Sequence, residues 1–225
     1  PAYSMHPIIT RTVGTRWVDG FRGVEGAGAF DLDVASAVDQ VRQHEPDIVF
    51  LCSPNNPTGT AMGLDVIAAI YAAAARSGIV VDEAYAEFAR AATPSALTLL
   101  QGRDRLVVTR TMSTAFALAG GRLGYLAADP KLAETLRLVR LPYHLSAPTQ
   151  AIACAALEHA DDLLAPVELL KTQRDRLVAE LAEMGLDPVP SDANFVPFRG
   201  LAYDRGTCQA LLNQALQIRE LGLAL

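Results

Sequence analysis

Hydroxyl side chains and an arginine follow a short apolar segment near the middle of the chain. Residues 106–108 are aliphatic and predict a buried strand. The hydroxyls of Thr111, Ser113 and Thr114 come directly after it, and two adjacent glycines then predict a turn that brings Arg122 close to them. Hydroxyls, backbone amides and a guanidinium are groups that bind phosphate. The segment therefore predicts a phosphate site or, alternatively, a polar loop before an ordinary glycine turn.

A carboxylate and a phenol follow a second predicted strand. Residues 79–81 are aliphatic, Asp82 ends the run, and Tyr85 comes three residues later. A buried carboxylate without a partner is costly, so Asp82 requires one. Glu83 and Glu87 lie in the same segment, and we expect solvated or structural roles for both of them.

A loop rich in proline and asparagine follows a third predicted strand. The apolar run 47–52 leads into Ser-Pro-Asn-Asn-Pro-Thr-Gly at 53–59, which contains Asn56. Two prolines and a glycine fix this loop at the carboxyl end of the strand, which is where open α/β sheets bind ligands. The alternative is a proline-rich turn without a ligand.

The arrangement of apolar segments indicates an α/β fold. A continuous apolar run such as 47–52 is typical of a strand that is buried on both faces in a parallel sheet covered by helices. A further strand is predicted at 123–127. The spacing of apolar residues predicts helices at 31–43, 64–76, 131–139, 147–159, 167–184 and 207–217.

Composition excludes several classes of protein. The chain has 225 residues, of which 51% are hydrophobic, and this is enough apolar material for a core. Its net charge of −6 and its pI near 5.2 argue against nucleic acid as a partner. No apolar stretch reaches the length that spans a bilayer, so we expect a cytoplasmic protein without membrane contact. Its three cysteines lack metal-ligand spacing, so we expect neither a zinc site nor a disulfide framework.

The segment 108–125 resembles the pyridoxal-phosphate attachment site of fold-type I aminotransferases, in the branch that contains histidinol-phosphate aminotransferases. Family members carry hydroxyl, any residue, Ser, Lys, Ala, Phe, then a glycine turn and Arg, and this chain follows that frame over 111–122. The difference is Thr114, which stands at the position of the Schiff-base lysine. A hydroxyl cannot condense with an aldehyde. The resemblance implies that Thr111, Ser113 and Arg122 bind the cofactor phosphate.

The loop at 53–59 and the Asp-Glu-Ala-Tyr string at 82–85 resemble the same family. The resemblance implies that Asp82 binds the pyridine nitrogen of pyridoxal phosphate and that Asn56 and Tyr85 share its phenolic oxygen. It places Tyr3 face-on against the cofactor ring and His6 behind the ring, where His6 supports the carboxylate of Asp82. The resemblance thus makes Thr114, Asp82 and Tyr85 the candidate catalytic positions.

Substrate contacts are implied further along the chain. The segment 191–196 resembles the family's small-domain strand, which implies that Asn194 lies near the substrate carboxylate. Arg219 resembles a family arginine near the substrate's far end and phosphate. Family members have further elements before residue 1 and an arginine-containing strand after residue 225. We therefore expect this chain to be part of a larger protein.

The resemblance implies a large domain at 1–140 with a mainly parallel sheet of the seven-stranded type, incomplete on its N-terminal side. A linker and part of a smaller α+β domain would follow at 141–225. It implies a homodimeric transaminase without a metal, which exchanges an amino group between histidinol phosphate and a 2-oxoacid such as 2-oxoglutarate in histidine biosynthesis. Thr114 leaves open a catalytically silent relative that binds pyridoxal phosphate or a partner protein. Aromatic amino-acid aminotransferases and threonine-phosphate decarboxylases share these motifs.

Overall fold

The fold is described from a computed structural model of the chain, which covers residues 2–23 and 30–200. The helix expected at 207–217 and the candidate residue Arg219 lie outside these residues. In the part of the chain that is covered, no helix combines the length and the hydropathy needed to cross a membrane.

A four-stranded sheet brings the candidate residues together at the carboxyl ends of its parallel strands. Strands β1 (Ile48–Cys52), β2 (Gly78–Asp82) and β3 (Leu106–Thr111) are parallel neighbours, and β4 (Gly124–Ala128) runs antiparallel beside β3. In this register Cys52 pairs with Asp82, and Asp82 pairs with Thr109. The loops that follow β1, β2 and β3 therefore leave the sheet side by side, as the α/β prediction requires.

The helices largely follow the predicted spacing. They are α1 (Met5–Thr12), α2 (Val34–His44), α3 (Leu64–Ala73), α4 (Pro130–Val139), α5 (Ala147–Glu158) and α6 (Ala160–Glu183). Three of them begin at side chains that accept a backbone N–H: Asp33 caps α2, Asp129 caps α4 and Ser146 caps α5. Helix α1 was not among the predicted helices.

Helix α6 begins earlier than predicted and continues through Pro166. Proline has no N–H, so Pro166 cannot donate to the carbonyl of Asp162 one turn before it. Pro166 and Asp162 are both exposed, so water can bond to that carbonyl. The early turns are stabilised because Leu163 and Leu164 pack against the apolar cluster around Phe88. Burial of these side chains outweighs the local cost of the proline.

Two further predictions are corrected by the fold. Strand β1 is not buried on both faces: Leu51 and Cys52 are buried, but Ile48 is 54% exposed, because β1 lies at the edge of the described sheet. The segment 191–196 is not a strand, because it contains a series of bends at 192–195. It connects the short antiparallel strands β5 (Asp187–Pro188) and β6 (Phe198–Arg199).

Among the described residues, buried apolar side chains form two clusters. Helices α2 and α3 cover the sheet over a cluster that includes Ile70, Ile79 and Leu106, each at most 1% exposed. A second cluster joins Phe88, after β2, to Met112, after β3, and to residues of α5 and α6. Both clusters hold the ends of β2 and β3 in place.

Candidate active site

Asp82 is held at the carboxyl end of β2 by two contacts. Its Oδ2 lies 3.0 Å from Nε2 of His6, and its Oδ1 accepts a hydrogen bond from the backbone N–H of Ala84 at 3.2 Å. His6 is buried and its ring stacks on that of Phe50, with 4.8 Å between centroids. The contact between His6 and Asp82 that the resemblance implies is therefore present. It fixes the orientation of a largely buried carboxylate.

Asn56 and Tyr85 meet beside Asp82, from the loops after β1 and β2. Nδ2 of Asn56 donates to the phenolic oxygen of Tyr85 at 3.0 Å. Burial raises the pKa of Tyr85 above its ordinary value, and the hydrogen bond from Asn56 offsets this only in part. Tyr85 is therefore a neutral phenol at physiological pH, and its own O–H can donate to a ligand.

The loop at 53–59 is fixed by polar side chains that bond to one another. Nδ2 of Asn55 donates to Oγ1 of Thr58 at 2.8 Å, and Thr58 bonds in turn to the hydroxyl of Thr60 at 2.8 Å. All three residues are buried. Sequence reasoning singled out Asn56 but not these supports, although polar residues concentrated directly after a buried strand are the signal for them.

Thr114 lies against the turn that carries Asp82 and Tyr85. Its Oγ1 donates to the carbonyl oxygen of Ala84 at 3.0 Å, and the residue is half-buried. Ala84 stands between Asp82 and Tyr85 in the chain. A side chain at position 114 is thus directed to the same place as the other candidate groups, but it carries a hydroxyl.

The candidate phosphate contacts follow β3 and precede β4. Oγ1 of Thr111 accepts from the backbone N–H of Ser113 at 3.1 Å. Thr111 is paired with Gly124 of β4, so Arg122, two residues earlier, lies at the same end of the sheet. Arg122 is exposed, has a left-handed backbone (φ +49°) and donates to the carbonyl of Ala119 at 2.9 Å.

Tyr3 and Asn194 border the site from two sides. Tyr3 is 41% exposed, and its ring meets the ring of His6 edge to face at 5.6 Å. Asn194 is exposed, and its neighbour Phe195 packs edge-on against Tyr85 at 5.3 Å. Among the described residues, no group of three His, Cys, Asp or Glu side chains could hold a metal ion.

A buried ionic network lies behind the site and was missed by sequence reasoning. Glu83 accepts hydrogen bonds from Nε and Nη2 of Arg110, at 3.1 and 2.8 Å, and from the hydroxyl of Ser95 and the N–H of Ala96. Glu87 lies 3.4 Å from Arg110 through Oε1. The structural role expected for both glutamates is observed, while Arg110 was not singled out.

Comparison with known proteins assigns the family. Residues 1–222 match the family described as aminotransferase class I and II. The chain belongs to this family. It is 55% identical to histidinol-phosphate aminotransferase of Paenarthrobacter aurescens, over 99% of this chain and 59% of that protein. It is 54% identical to histidinol-phosphate aminotransferase of Frankia casuarinae, over 99% of this chain and 56% of that protein.

A solved aminotransferase has the same fold. The crystal structure of histidinol-phosphate aminotransferase from Sinorhizobium meliloti, in complex with pyridoxal-5'-phosphate, matches with a TM-score of 0.84 and 26% identity. The match covers 99% of this chain and 61% of that one. The present chain thus has the aminotransferase fold and spans about six tenths of the length of these relatives.

The ionic network behind the site includes a carboxylate whose burial costs stability. Oε2 of Glu87 is buried and has no hydrogen-bond partner among the described residues. Burial raises the pKa of Glu87, which outweighs the opposing effect of Arg110. Because the pKa is higher in the folded chain than in the unfolded one, the ionised carboxylate destabilises the fold, and protonation removes this penalty as the pH falls through the folded pKa.

We therefore expect Glu87→Gln to increase the free energy of unfolding at pH 7. The gain should shrink as the pH is lowered and vanish below the pKa of the unfolded glutamate, which is about 4.3. Denaturant unfolding between pH 7 and pH 4 measures this, with Glu183→Gln at an exposed position of α6 as the control. A gain that is the same at every pH would contradict the assignment of the penalty to the ionised carboxylate.

Proposed function

We propose that the loops after β1, β2 and β3 bind pyridoxal phosphate. We further propose that the chain belongs to a transaminase that exchanges an amino group between histidinol phosphate and a 2-oxoacid such as 2-oxoglutarate, in histidine biosynthesis. The observation that carries the proposal is the Asp82–His6 contact beside the Asn56–Tyr85 pair. The names of the relatives that are 54% and 55% identical support the choice of substrate.

The ring contacts fit this cofactor in charge and in hydrogen-bonding character. When bound, pyridoxal phosphate supplies a ring that accepts electrons from the substrate's Cα. Asp82, a carboxylate oriented by His6, suits a protonated ring nitrogen. Asn56 and the neutral Tyr85 offer two donors for the phenolic oxygen. Tyr3 supplies an exposed aromatic surface for the ring.

The phosphate and the substrate are assigned to the remaining candidates. Thr111, Ser113 and Arg122 provide hydroxyls and a guanidinium for the cofactor phosphate at the ends of β3 and β4. Asn194 is proposed to contact the substrate carboxylate and Arg219 the substrate phosphate.

Thr114 supports a second candidate function for the chain as written. It donates to the carbonyl of Ala84 beside the proposed ring contacts, but its hydroxyl can neither attach the cofactor covalently nor serve as an amine base at the substrate's Cα. The chain then holds pyridoxal phosphate reversibly and is a catalytically silent member of the family.

We also propose the cellular setting and the division of the protein. A transaminase of this pathway works on small soluble metabolites in the cytoplasm, and we propose a homodimer. The division at residue 140 separates the cofactor-binding large domain, 1–140, from a linker and small domain, 141–225.

Titration with pyridoxal phosphate, followed by borohydride reduction and mass spectrometry, tests the proposed site. We expect saturable binding that dialysis reverses and no reduced adduct at residue 114. Asp82→Asn should weaken binding by about 10- to 100-fold, because a hydrogen bond to a charged group contributes about 1.5–3 kcal/mol and about 1.4 kcal/mol is a factor of ten.

The control for this titration is Asp104→Asn, whose side chain is 79% exposed and lies away from the site. It should bind pyridoxal phosphate like the unaltered chain. Equal affinity in Asp82→Asn would contradict the proposed site. Amino transfer from histidinol phosphate to 2-oxoglutarate by the unaltered chain would contradict the silent alternative alone.

A further inference from the structure

We infer that Arg174 of α6 is a positioning residue that holds the segment 191–195, and with it Asn194, against the turn that carries Tyr85. The inference rests on the proposed function only in giving Asn194 a substrate to contact. The arrangement itself follows from the contacts of Arg174, of Arg90 and of the loop at 53–59.

Arg174 joins two distant segments through buried hydrogen bonds. Its side chain is 3% exposed. Its Nη1 donates to the carbonyl of Phe88 at 2.7 Å and to the carbonyl of Ala193 at 3.2 Å. Phe88 closes the short turn after Tyr85, and Ala193 immediately precedes Asn194. The guanidinium of Arg174 therefore connects the turn after Tyr85 directly to the residue before Asn194.

A second arginine binds the same segment from the other side of the turn. The backbone N–H of Arg90 donates to Oδ1 of Asp192 at 2.8 Å, and its guanidinium donates to the carbonyl of Ser191 and to Asp175. Asp175 also accepts from Nε of Arg174 at 3.0 Å. The two guanidinium groups thus share the carboxylate of Asp175.

The loop at 53–59 also contacts the segment 191–195. The N–H of Asp192 donates to the carbonyl of Gly59 at 2.7 Å. Gly59 has φ +69°, and a Cβ built on it would lie 2.2 Å from Oγ of Ser191. The segment is therefore packed tightly between this loop and the two arginines.

These contacts position the segment because it has no regular secondary structure of its own. Residues 192–195 form bends and residues 191 and 196 have no regular structure, so no strand ladder sets their place. Phe195 packs edge-on against Tyr85, which itself bonds Asn56. Loss of the bonds from Arg174 should therefore release Asn194 and Phe195 together and loosen the surroundings of Tyr85, while the sheet stays intact.

Hydrogen exchange of the full 225-residue chain tests the inference. We expect Arg174→Met to accelerate exchange of the amides of Asp192 and Ala193 by about tenfold or more, since bonds to a charged donor are lost. Amides of β1, β2 and β3 should keep their protection. Arg174→Lys retains the charge but not the fork of donors, and should give an intermediate acceleration.

The matched control is Arg176→Met, on the same helix, whose side chain is 64% exposed and bonds to Glu180. It should leave exchange at Asp192 and Ala193 unchanged. The dissociation constant for pyridoxal phosphate should rise in Arg174→Met and stay unchanged in the control.

The inference would be overturned if exchange at 191–196 stayed unchanged in Arg174→Met. It would also be overturned if the sheet and the segment lost protection equally in both Arg174 variants. Failure of the unaltered chain to bind pyridoxal phosphate would instead refute the proposed function, because the exchange experiment needs no ligand.

Discussion

Thr114→Lys is expected to convert reversible binding of pyridoxal phosphate into covalent attachment at residue 114. The hydroxyl of Thr114 already reaches the carbonyl of Ala84, between Asp82 and Tyr85, so a longer side chain starts from the correct place and direction. An amine held in line with an aldehyde reacts with an effective molarity on the order of 10⁵ M or more. The ring contacts of Asp82 and Asn56 should supply that alignment.

Borohydride reduction followed by peptide mass spectrometry measures the attachment. We expect near-complete labelling of the peptide that contains residue 114, and a new absorption band before reduction. The control is Thr135→Lys, the same substitution at an exposed position of α4, which should remain unlabelled. If Thr114→Lys binds the cofactor but stays unlabelled, the side chain at 114 does not point into the site as proposed.

Glu83→Gln is expected to cause a large loss of stability. Glu83 is buried and accepts two hydrogen bonds from Arg110, whose side chain is only 16% exposed. Removing one partner of a buried ion pair costs about 3–5 kcal/mol, and Glu87, 3.4 Å from Arg110, compensates the remaining charge only in part. For a chain of this size, each kcal/mol lowers the melting temperature by roughly 2–4 °C.

Calorimetry and denaturant unfolding measure this loss. The control is Glu134→Gln, which breaks an exposed pair with Arg137 and should cost less than about 1 kcal/mol. The double variant Glu83→Gln, Arg110→Met should recover only part of the stability, because it removes the guanidinium that has lost Glu83 but leaves Glu87 without its ion-pair partner. If Glu83→Gln costs no more than Glu134→Gln, the network does not contribute to stability as described.

The position of the site at the carboxyl ends of the parallel strands could be predicted from the sequence. Each of these strands ends in a recognisable set of polar residues. Asp82 and Asn56 follow continuous apolar runs, and parallel strands align their carboxyl ends. The assignment of Tyr85 and His6 needed the family motifs, since a tyrosine or a histidine near a chain end has many ordinary packing roles.

The parts that could not be predicted depend on contacts between residues far apart in the chain. The pair Glu83–Arg110 forms because β2 and β3 are neighbours in register, which no local pattern of charges reveals. Arg174 was missed because an arginine in an amphipathic helix is usually exposed, whereas here two carbonyls from other segments compensate its burial. The early start of α6 depends on tertiary packing of Leu163 and Leu164 that outweighs the effect of Pro166.

The close approach of Gly59 to Ser191 makes the residues that position 59 can accept depend on a second region of the chain. A side chain at 59 would meet both the positive φ of that residue and the Ser191 hydroxyl, so a larger residue there requires a smaller one at 191 and a changed backbone. The dependence runs in one direction, because a smaller residue at 191 is compatible with Gly59, whereas a side chain at 59 is not compatible with Ser191. The residue tolerated at the end of the motif after β1 is therefore set by the segment before Asn194, although the two are far apart in the chain.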